Sequence, residues 1–307
     1  MNIGIVLVTF NRLEKLKIAI QHYEAQIFKP AFILIVDNCS SDGTKEYLDR
    51  WKAEPAEIKR HVIHLDSNTG GAGGFYAGMQ EALKLSSDWI WVSDDDAYPR
   101  RNALKNLKDY YQGLTPEKQN EIAALCCAVY NQGKVHEWHR NHMKQTKLKV
   151  KIFPSTAEEY QKKAFPIEIF SYVGAMIKSS VLKKVGLDRK EFFIYCDDQE
   201  HSIRIAREGK IFCVPSAIID HDTPPFDRKV INWGRYYKVR NDLLMIKYNF
   251  PKRYYFFRYW RRYLRDASIF SKNPPVLKKE LKAAYRDAAN NRAGIHPIYK
   301  PGWQPEK

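Results

Sequence analysis

The chain has 307 residues, 44% of them hydrophobic, which supports a substantial core and excludes a disordered polypeptide. Lys and Arg number 51 against 35 Asp and Glu, and the formal charge of +16 implies an anionic partner: nucleic acid, phosphorylated substrate or acidic lipid. No stretch approaches the ~20 uncharged apolar residues of a membrane span, so the chain reads as soluble or as lying on a membrane surface.

The run Ile3–Phe10 is apolar and β-branched, which predicts a strand buried on both faces; it is too short for a signal sequence and lacks a basic flank. Asn11-Arg12-Leu13-Glu14 predicts a helix start capped by Asn11, with Leu13, Leu16, Ile20 and Tyr23 at helical spacing. Strands are predicted at 32–36, 62–65 and 89–92, with helices from near Thr44 and from about Gly74 to Leu85. Strands alternating with helices predict an α/β fold with a mostly parallel sheet, whose ligands sit at the carboxyl ends of the strands. Asp37, Asn68 and Asp94–Asp96 all fall there. Residues 131–165 are polar and basic, with His136, Trp138, His139 and His142 close together, and read as an insertion or long loop without trustworthy ligand spacing. Regular patterns return at 170–177, 191–208 and 211–219, and from Val230 onward the chain is aromatic and basic without a strand pattern. The five cysteines form no CxxC pair and read as reduced thiols of a cytosolic protein.

In an extended Ser93-Asp94-Asp95-Asp96-Ala97 segment, Asp94 and Asp96 point to one side and reach one hard cation, while Asp95 faces elsewhere. Adjacent like charges repel, and a divalent ion is the simplest compensation, although a solvated acidic turn gives the same pattern. Asn68-Thr69-Gly70-Gly71-Ala72-Gly73-Gly74-Phe75 lets the backbone pack close to a ligand, with the next helix offering amides to a phosphate; a tight strand-to-helix turn is equally compatible. Asp197-Asp198-Gln199-Glu200 opens a helix, where the dipole favours acidic residues, yet a partly buried carboxylate there is also a candidate base. His221, following Ile218-Ile219, reads either as a ligand completing the first cluster or as a structural residue. In the 252–270 stretch, Phe256, Trp260, Tyr263, Ala267 and Phe270 share one predicted helical face and Arg258, Arg261, Arg262 and Arg265 the opposite one. Docking on an anionic membrane surface and packing against the domain with a solvated arginine face both remain open.

These motifs, in this order over residues 3–222, resemble the family-2 glycosyltransferases of GT-A (Rossmann-like) fold. The carriers are Val8-Thr9-Phe10-Asn11-Arg12, the 37–44 segment Asp-Asn-Cys-Ser-Ser-Asp-Gly-Thr, and the Asp94–Asp96 triplet. Asn68–Phe75, Asp197-Asp198-Gln199-Glu200, His221 and Tyr236-Tyr237-Lys238-Val239-Arg240-Asn241 look most like the galactofuranosyltransferase and rhamnosyltransferase branch. The resemblance implies a catalytic domain over 1–228 and a helical basic, aromatic region over 229–307. It implies that Thr9, Asn11 and Arg12 line a nucleotide pocket, that Asp37 binds the base, and that Asn68, Gly70, Gly71 and Asp95 border the nucleotide-sugar. It further implies that Asp94, Asp96 and His221 hold Mn²⁺ or Mg²⁺, that Asp198 is the catalytic base, and that Asp197 and Glu200 bind the acceptor. Gln199 departs from the branch pattern.

The activity that the resemblance implies is an inverting transfer from UDP-galactofuranose, or from dTDP-rhamnose. The acceptor would be a growing cell-surface glycan or lipid-linked glycan at the cytoplasmic face of the membrane. A nucleotidyltransferase would need a basic residue in the glycine-rich segment, and residues 68–75 contain none. A nucleic-acid-binding protein fits the charge but not three acidic clusters at strand ends, so no nucleic-acid partner is expected.

Overall fold

The computed structural model describes residues 1–223, 233–270 and 275–305, without the side chains of 267–270, 275 and 276. In chain order the first half contains β1 (Ile3–Thr9), α1 (Leu13–Glu24), β2 (Phe32–Asp37), α2 (Thr44–Ala53), β3 (Lys59–His64), α3 (Gly70–Lys84), β4 (Trp89–Asp94), β5 (Ala97–Pro99), α4 (Ala103–Gln112) and α5 (Pro116–Glu121). Next come β6 (Ile122–Asn131), β7 (Lys134–Val135), β8 (Arg140–Gln145), β9 (Val150–Pro154), β10 (Phe165–Ile167), β11 (Ile169–Phe170), β12 (Ala175–Lys178), α6 (Ser179–Val185), α7 (Asp197–Ile205) and β13 (Lys210–His221). The last elements are helices α8 (Gly234–Asn249), α9 (Lys252–Phe270) and α10 (Pro275–Ala289).

The main sheet runs β10-β13-β6-β12-β4-β1-β2-β3, with β5 paired to β13 and β7 to β6. Strands β12 and β10 run against their neighbours, and the others on this path run in one direction. The sheet is therefore the mostly parallel, helix-flanked one that the alternating pattern predicts. Strands β1 and β2 are buried along their whole length, each enclosed Ile or Leu contributing about 1.5–3 kcal/mol. Because β1 pairs with both β2 and β4, the chain reverses its direction of travel across the sheet at β1, and a crevice opens at the carboxyl ends there.

Three local expectations change. Asn11 does not cap α1; it adopts a left-handed φ of 53°, and its side-chain oxygen instead accepts a bond from Ser41 N–H at 2.7 Å. The glycine-rich segment is not a turn ahead of the helix but the first turns of α3 itself. A Cβ on Gly74 would lie 2.5 Å from Val8 Cγ1, so the bare backbone lets α3 lie close against β1. The 131–165 region is not an open loop: β8 and β9 form a hairpin that joins β11 in a separate three-stranded sheet.

The division expected at 228/229 falls outside the described residues. Helices α8–α10 share a core with the rest of the molecule, in which Tyr236, Tyr237 and Leu243 pack with Ala72, Phe192 and Ile203.

Two neighbouring glycines test the packing argument. Gly70 has φ +73°, and a Cβ there would sit 2.0 Å from Phe193 O, whereas a Cβ on Gly71 meets nothing within 4 Å. Gly70→Ala is expected to destabilise by about 2–4 kcal/mol from strain and overlap, and Gly71→Ala to leave the thermal midpoint unchanged or slightly raised. Calorimetric melting of both variants checks this.

Candidate active site

Strand β4 delivers three consecutive carboxylates to the crevice, and each meets a different environment. Asp95 is buried, accepting from Thr9 Oγ1 at 2.7 Å and from Arg12 Nη1 at 3.2 Å, which ties the ends of β1 and β4 together. Burial raises its pKa to about 6 despite Arg12. Asp96 accepts from Arg12 Nη1 at 2.7 Å and lies 3.2 Å from His221 Nε2. Burial alone would push Asp96 up, but His221, Arg12 and Lys15 outweigh it and hold the carboxyl below its usual value. The Asp94 carboxyl makes no hydrogen bond or ion pair among the described residues. Burial, then repulsion from Asp96 and Asp95, holds its proton well above the ordinary carboxylate range.

His221 lies 125 residues from Asp96 and arrives because the end of β13 pairs with β5, setting His221 opposite Ala97. One ligand atom from each of Asp94, Asp96 and His221 lies within 4.8 Å of the others. Two carboxylates and an imidazole suit Mn²⁺ or Mg²⁺, and the unpartnered Asp94 carboxylate is the feature a divalent ion would satisfy.

The crevice has two chambers. The smaller, about 260 Å³, is bordered by Thr9, Arg12, Asn38, Asn68, Gly70, Gly71, Asp94 and Asp95, with Phe10, Phe193 and Trp233 adding aromatic surface. The larger, about 600 Å³, holds Asp94, Asp96, His139, His221, Asp197, Asp198, Gln199 and Lys238. Arg12, Gly71, Asp94 and Ile194 border both. A wider groove of about 830 Å³ lies by the start of β4, around Asp88, Lys178 and Lys183, away from the strand ends that carry the acidic clusters.

Asp198 borders the larger chamber. Burial and then the neighbouring Asp197 raise its pKa to about 8, while burial brings Asp197 to about 6. The turn that presents them is held from α8: Asn241 Nδ2 lies 2.8–2.9 Å from the carbonyl oxygens of Phe192, Ile194 and Tyr195, and Arg240 Nη2 donates to Phe192 O at 3.0 Å. These bonds stabilise a turn in which Phe193, Tyr195 and Cys196 all have positive φ.

Not every expected residue reaches the crevice. Glu200 is fully buried and ion-paired to Arg189 and Arg204, each at 2.9 Å, with Asn249 donating at 3.0 Å, so it cannot contact an acceptor. Its charge instead fixes α7 to its surroundings. Asp37 is buried at the end of β2, 2.9 Å from His64 Nδ1 and accepting from Ser40 N–H, and Asn11, just before α1, is hydrogen-bonded to Ser40 and Ser41 of the turn that follows β2. Neither borders the two chambers.

Sequence reasoning missed His139. Arg140, fully buried, donates to the carbonyls of Cys127 at 2.8 Å and Val173 at 2.6 Å, stapling the insertion onto the sheet. That anchors the adjacent His139 with its Nε2 3.4 Å from His221 Nδ1 and its Nδ1 2.6 Å from Ser171 Oγ. Burial, then His221, holds His139 neutral, well below the usual imidazole range. Nothing in residues 131–165 marks which of their histidines turns inward. Asp188, buried behind the second acidic cluster with its proton held high by burial and by Asp197, was likewise not anticipated.

The crevice at the strand ends thus gathers Asp94, Asp96 and His221 beside the buried Asp197 and its neighbour Asp198, on a mostly parallel, helix-flanked sheet. The glycosyl transferase family 2 model matches residues 4–186, more than half of the chain, and the chain belongs to that family. It is similar to the galactofuranosyltransferase GlfT1 of Mycobacterium tuberculosis, 26% identical over 75% of this chain and 73% of the relative. Against GlfT1 of Mycolicibacterium smegmatis the chain spans 66% of the relative's length. Similarity to the dTDP-rhamnosyl transferase RfbF of Shigella flexneri is 26% over 81% of both chains. Among solved structures, the mannosyltransferase PcManGT from Pyrobaculum calidifontis, in complex with GDP-Man and Mn²⁺, shares the fold. It has a TM-score of 0.56 and 14% identity, covering 95% of this chain and 86% of that one.

The metal assignment has a direct readout. Mn²⁺ in hundredfold excess over its dissociation constant is expected to add about 2.7 kcal/mol to the stability of the native protein and to raise the melting midpoint by several degrees. Asp96→Asn and His221→Ala are expected to lose most of that shift in differential scanning calorimetry.

Proposed function

We propose that the protein is an inverting, metal-dependent hexosyltransferase. In this reading it moves galactofuranose from UDP-galactofuranose to a hydroxyl of a growing cell-surface glycan carried on lipid, working at the cytoplasmic face of the membrane. The observation that carries it is the shared border of the two chambers: Asp94 faces both, and Asp198, a carboxyl with raised basicity, borders only the larger.

The smaller chamber, with its aromatic surface and the side-chain-free Gly70 and Gly71 at its border, takes the nucleotide and diphosphate. Asp94, Asp96 and His221 would hold a divalent cation, which when bound would supply charge neutralisation at the leaving diphosphate. Asp198 accepts the proton of the acceptor hydroxyl, whose oxygen bonds to the anomeric carbon as the bond from that carbon to the diphosphate oxygen breaks. Attack from the face opposite the leaving group inverts the configuration, and no sugar becomes bonded to the protein. Asp197 stands beside the base in the same chamber and keeps its proton affinity high. The GlfT1 relatives support galactofuranose. The RfbF similarity, which spans more of the chain, supports dTDP-rhamnose as the rival donor.

A donor screen for nucleotide-sugar hydrolysis, with and without Mn²⁺, tests this reading. UDP-galactofuranose is expected to turn over fastest; preference for dTDP-rhamnose transfers the reading to the rival, and turnover that persists in excess EDTA contradicts the metal role. Asp198→Asn is expected to lose about 10²–10⁴ in transfer rate. Because the base must be ionised, the wild-type rate should climb with pH and level off above about 8. The folded-state pKa of Asp198 lies above its unfolded value of 3.8, so the folded chain holds the extra proton and loses stability as pH rises from 3.8 to about 8. Asp198→Asn should therefore melt higher than the wild type at neutral pH while being the less active protein.

A further inference from the structure

Helix α9 corrects the amphipathic reading. Tyr259 and Tyr263 turn inward against Tyr285, and Arg258 and Arg262 turn inward to pair with Asp242 at 3.3 and 2.6 Å. The aromatic and arginine faces predicted from spacing are thus mixed, because Asp242 on α8 draws two of the arginines towards the core; Ala267 and Phe270 lie outside the described side chains. What remains outside is a stripe of Phe256, Trp260 and Leu264, 56%, 57% and 64% exposed, recurring every fourth residue. Lys252, Arg253, Arg261 and Arg265 are exposed around it.

The β8–β9 hairpin extends this surface. Tyr254 Oη donates to Thr146 O at 2.9 Å and Arg258 Nη2 to Val150 O at 3.2 Å, so the hairpin and helix are tied together and their basic side chains border one open groove. The hairpin exposes Leu148 and Phe153 at 48% and 42%, and it carries lysines at 144, 147, 149 and 151. Neither residues 143–153 nor residues 252–265 contain an Asp or Glu.

We propose that this joint face of α9 and the β8–β9 hairpin docks on an anionic lipid bilayer, the apolar side chains entering the headgroup boundary and the lysines and arginines meeting acidic headgroups. Charge complementarity selects the occupant: a second copy would bring the same positive charge to the contact, and a nucleic acid would leave the aliphatic Leu148 and Leu264 in water. The surface deepens the reading of a lipid-carried acceptor, yet its test is independent of the donor assignment.

The full chain is sedimented with vesicles of phosphatidylcholine alone and of phosphatidylcholine with phosphatidylglycerol. Binding to the mixed vesicles only, weakened by salt, is expected. Phe256→Ser with Trp260→Ser, and separately Lys147→Glu with Lys151→Glu, should each weaken it at least about tenfold while leaving nucleotide-sugar hydrolysis in solution and the melting midpoint unchanged. Failure to bind, equal binding to neutral vesicles, undiminished binding by both variants, or burial of Phe256 and Trp260 in a dimer in solution would overturn the proposal. Loss of hydrolysis in the wild type would count against the catalytic reading alone.

Discussion

Three adjacent carboxylates at the end of a buried strand must not repel one another out of the fold, and the site is organised around that constraint. Asp95 is drawn to Thr9 and Arg12, and Asp96 to Arg12 and His221, which leaves Asp94 as the carboxyl without a side-chain hydrogen bond or ion pair among the described residues. Arg12 bridges the two partnered carboxylates while remaining half exposed. Its guanidinium therefore neutralises Asp95 and Asp96 from a position that still faces solvent. In the proposed reading, the repulsion among the three carboxylates would also be the source of affinity for a divalent ion.

Around this cluster, distant parts of the chain supply fixed geometry. The β13–β5 pairing brings His221, Arg140 staples the insertion that brings His139 behind it, and Asn241 with Arg240 holds the turn before Asp197 and Asp198. Helix α8 therefore does more than append a region to the catalytic sheet: it sets the position of the second acidic cluster. A strained turn clamped by buried side-chain donors keeps two carboxylates near each other without allowing them to relax apart.

The strands at the site were legible because parallel strands buried on both faces read as unbroken apolar runs, and the acidic residues after β4 mark its functional end. The first half of the sheet and the gathering of Asp94, Asp96 and His221 accord with that pattern and with the family resemblance. The rest depended on partners far away in sequence. Glu200 looked like a ligand-facing carboxylate, but Arg189 and Asn249, 11 and 49 positions away, bury it. The inward turn of His139 results from Arg140 finding carbonyls on β6 and near β12, which no local spacing encodes. In α9, periodicity located the helix but not its faces, because Asp242 outweighs hydrophobicity in choosing which arginines point inward.

In the proposed reading, Asp94, Asp96 and His221 hold a divalent ion jointly with the diphosphate of a nucleotide donor. Titration calorimetry of Mn²⁺ into the protein, with and without saturating UDP, tests it most directly. UDP is expected to tighten Mn²⁺ binding by at least about tenfold, a coupling of about 1.4 kcal/mol, and Asp94→Asn to abolish the tightening. Equal Mn²⁺ affinity with and without UDP, or coupling that survives in Asp94→Asn, would contradict it.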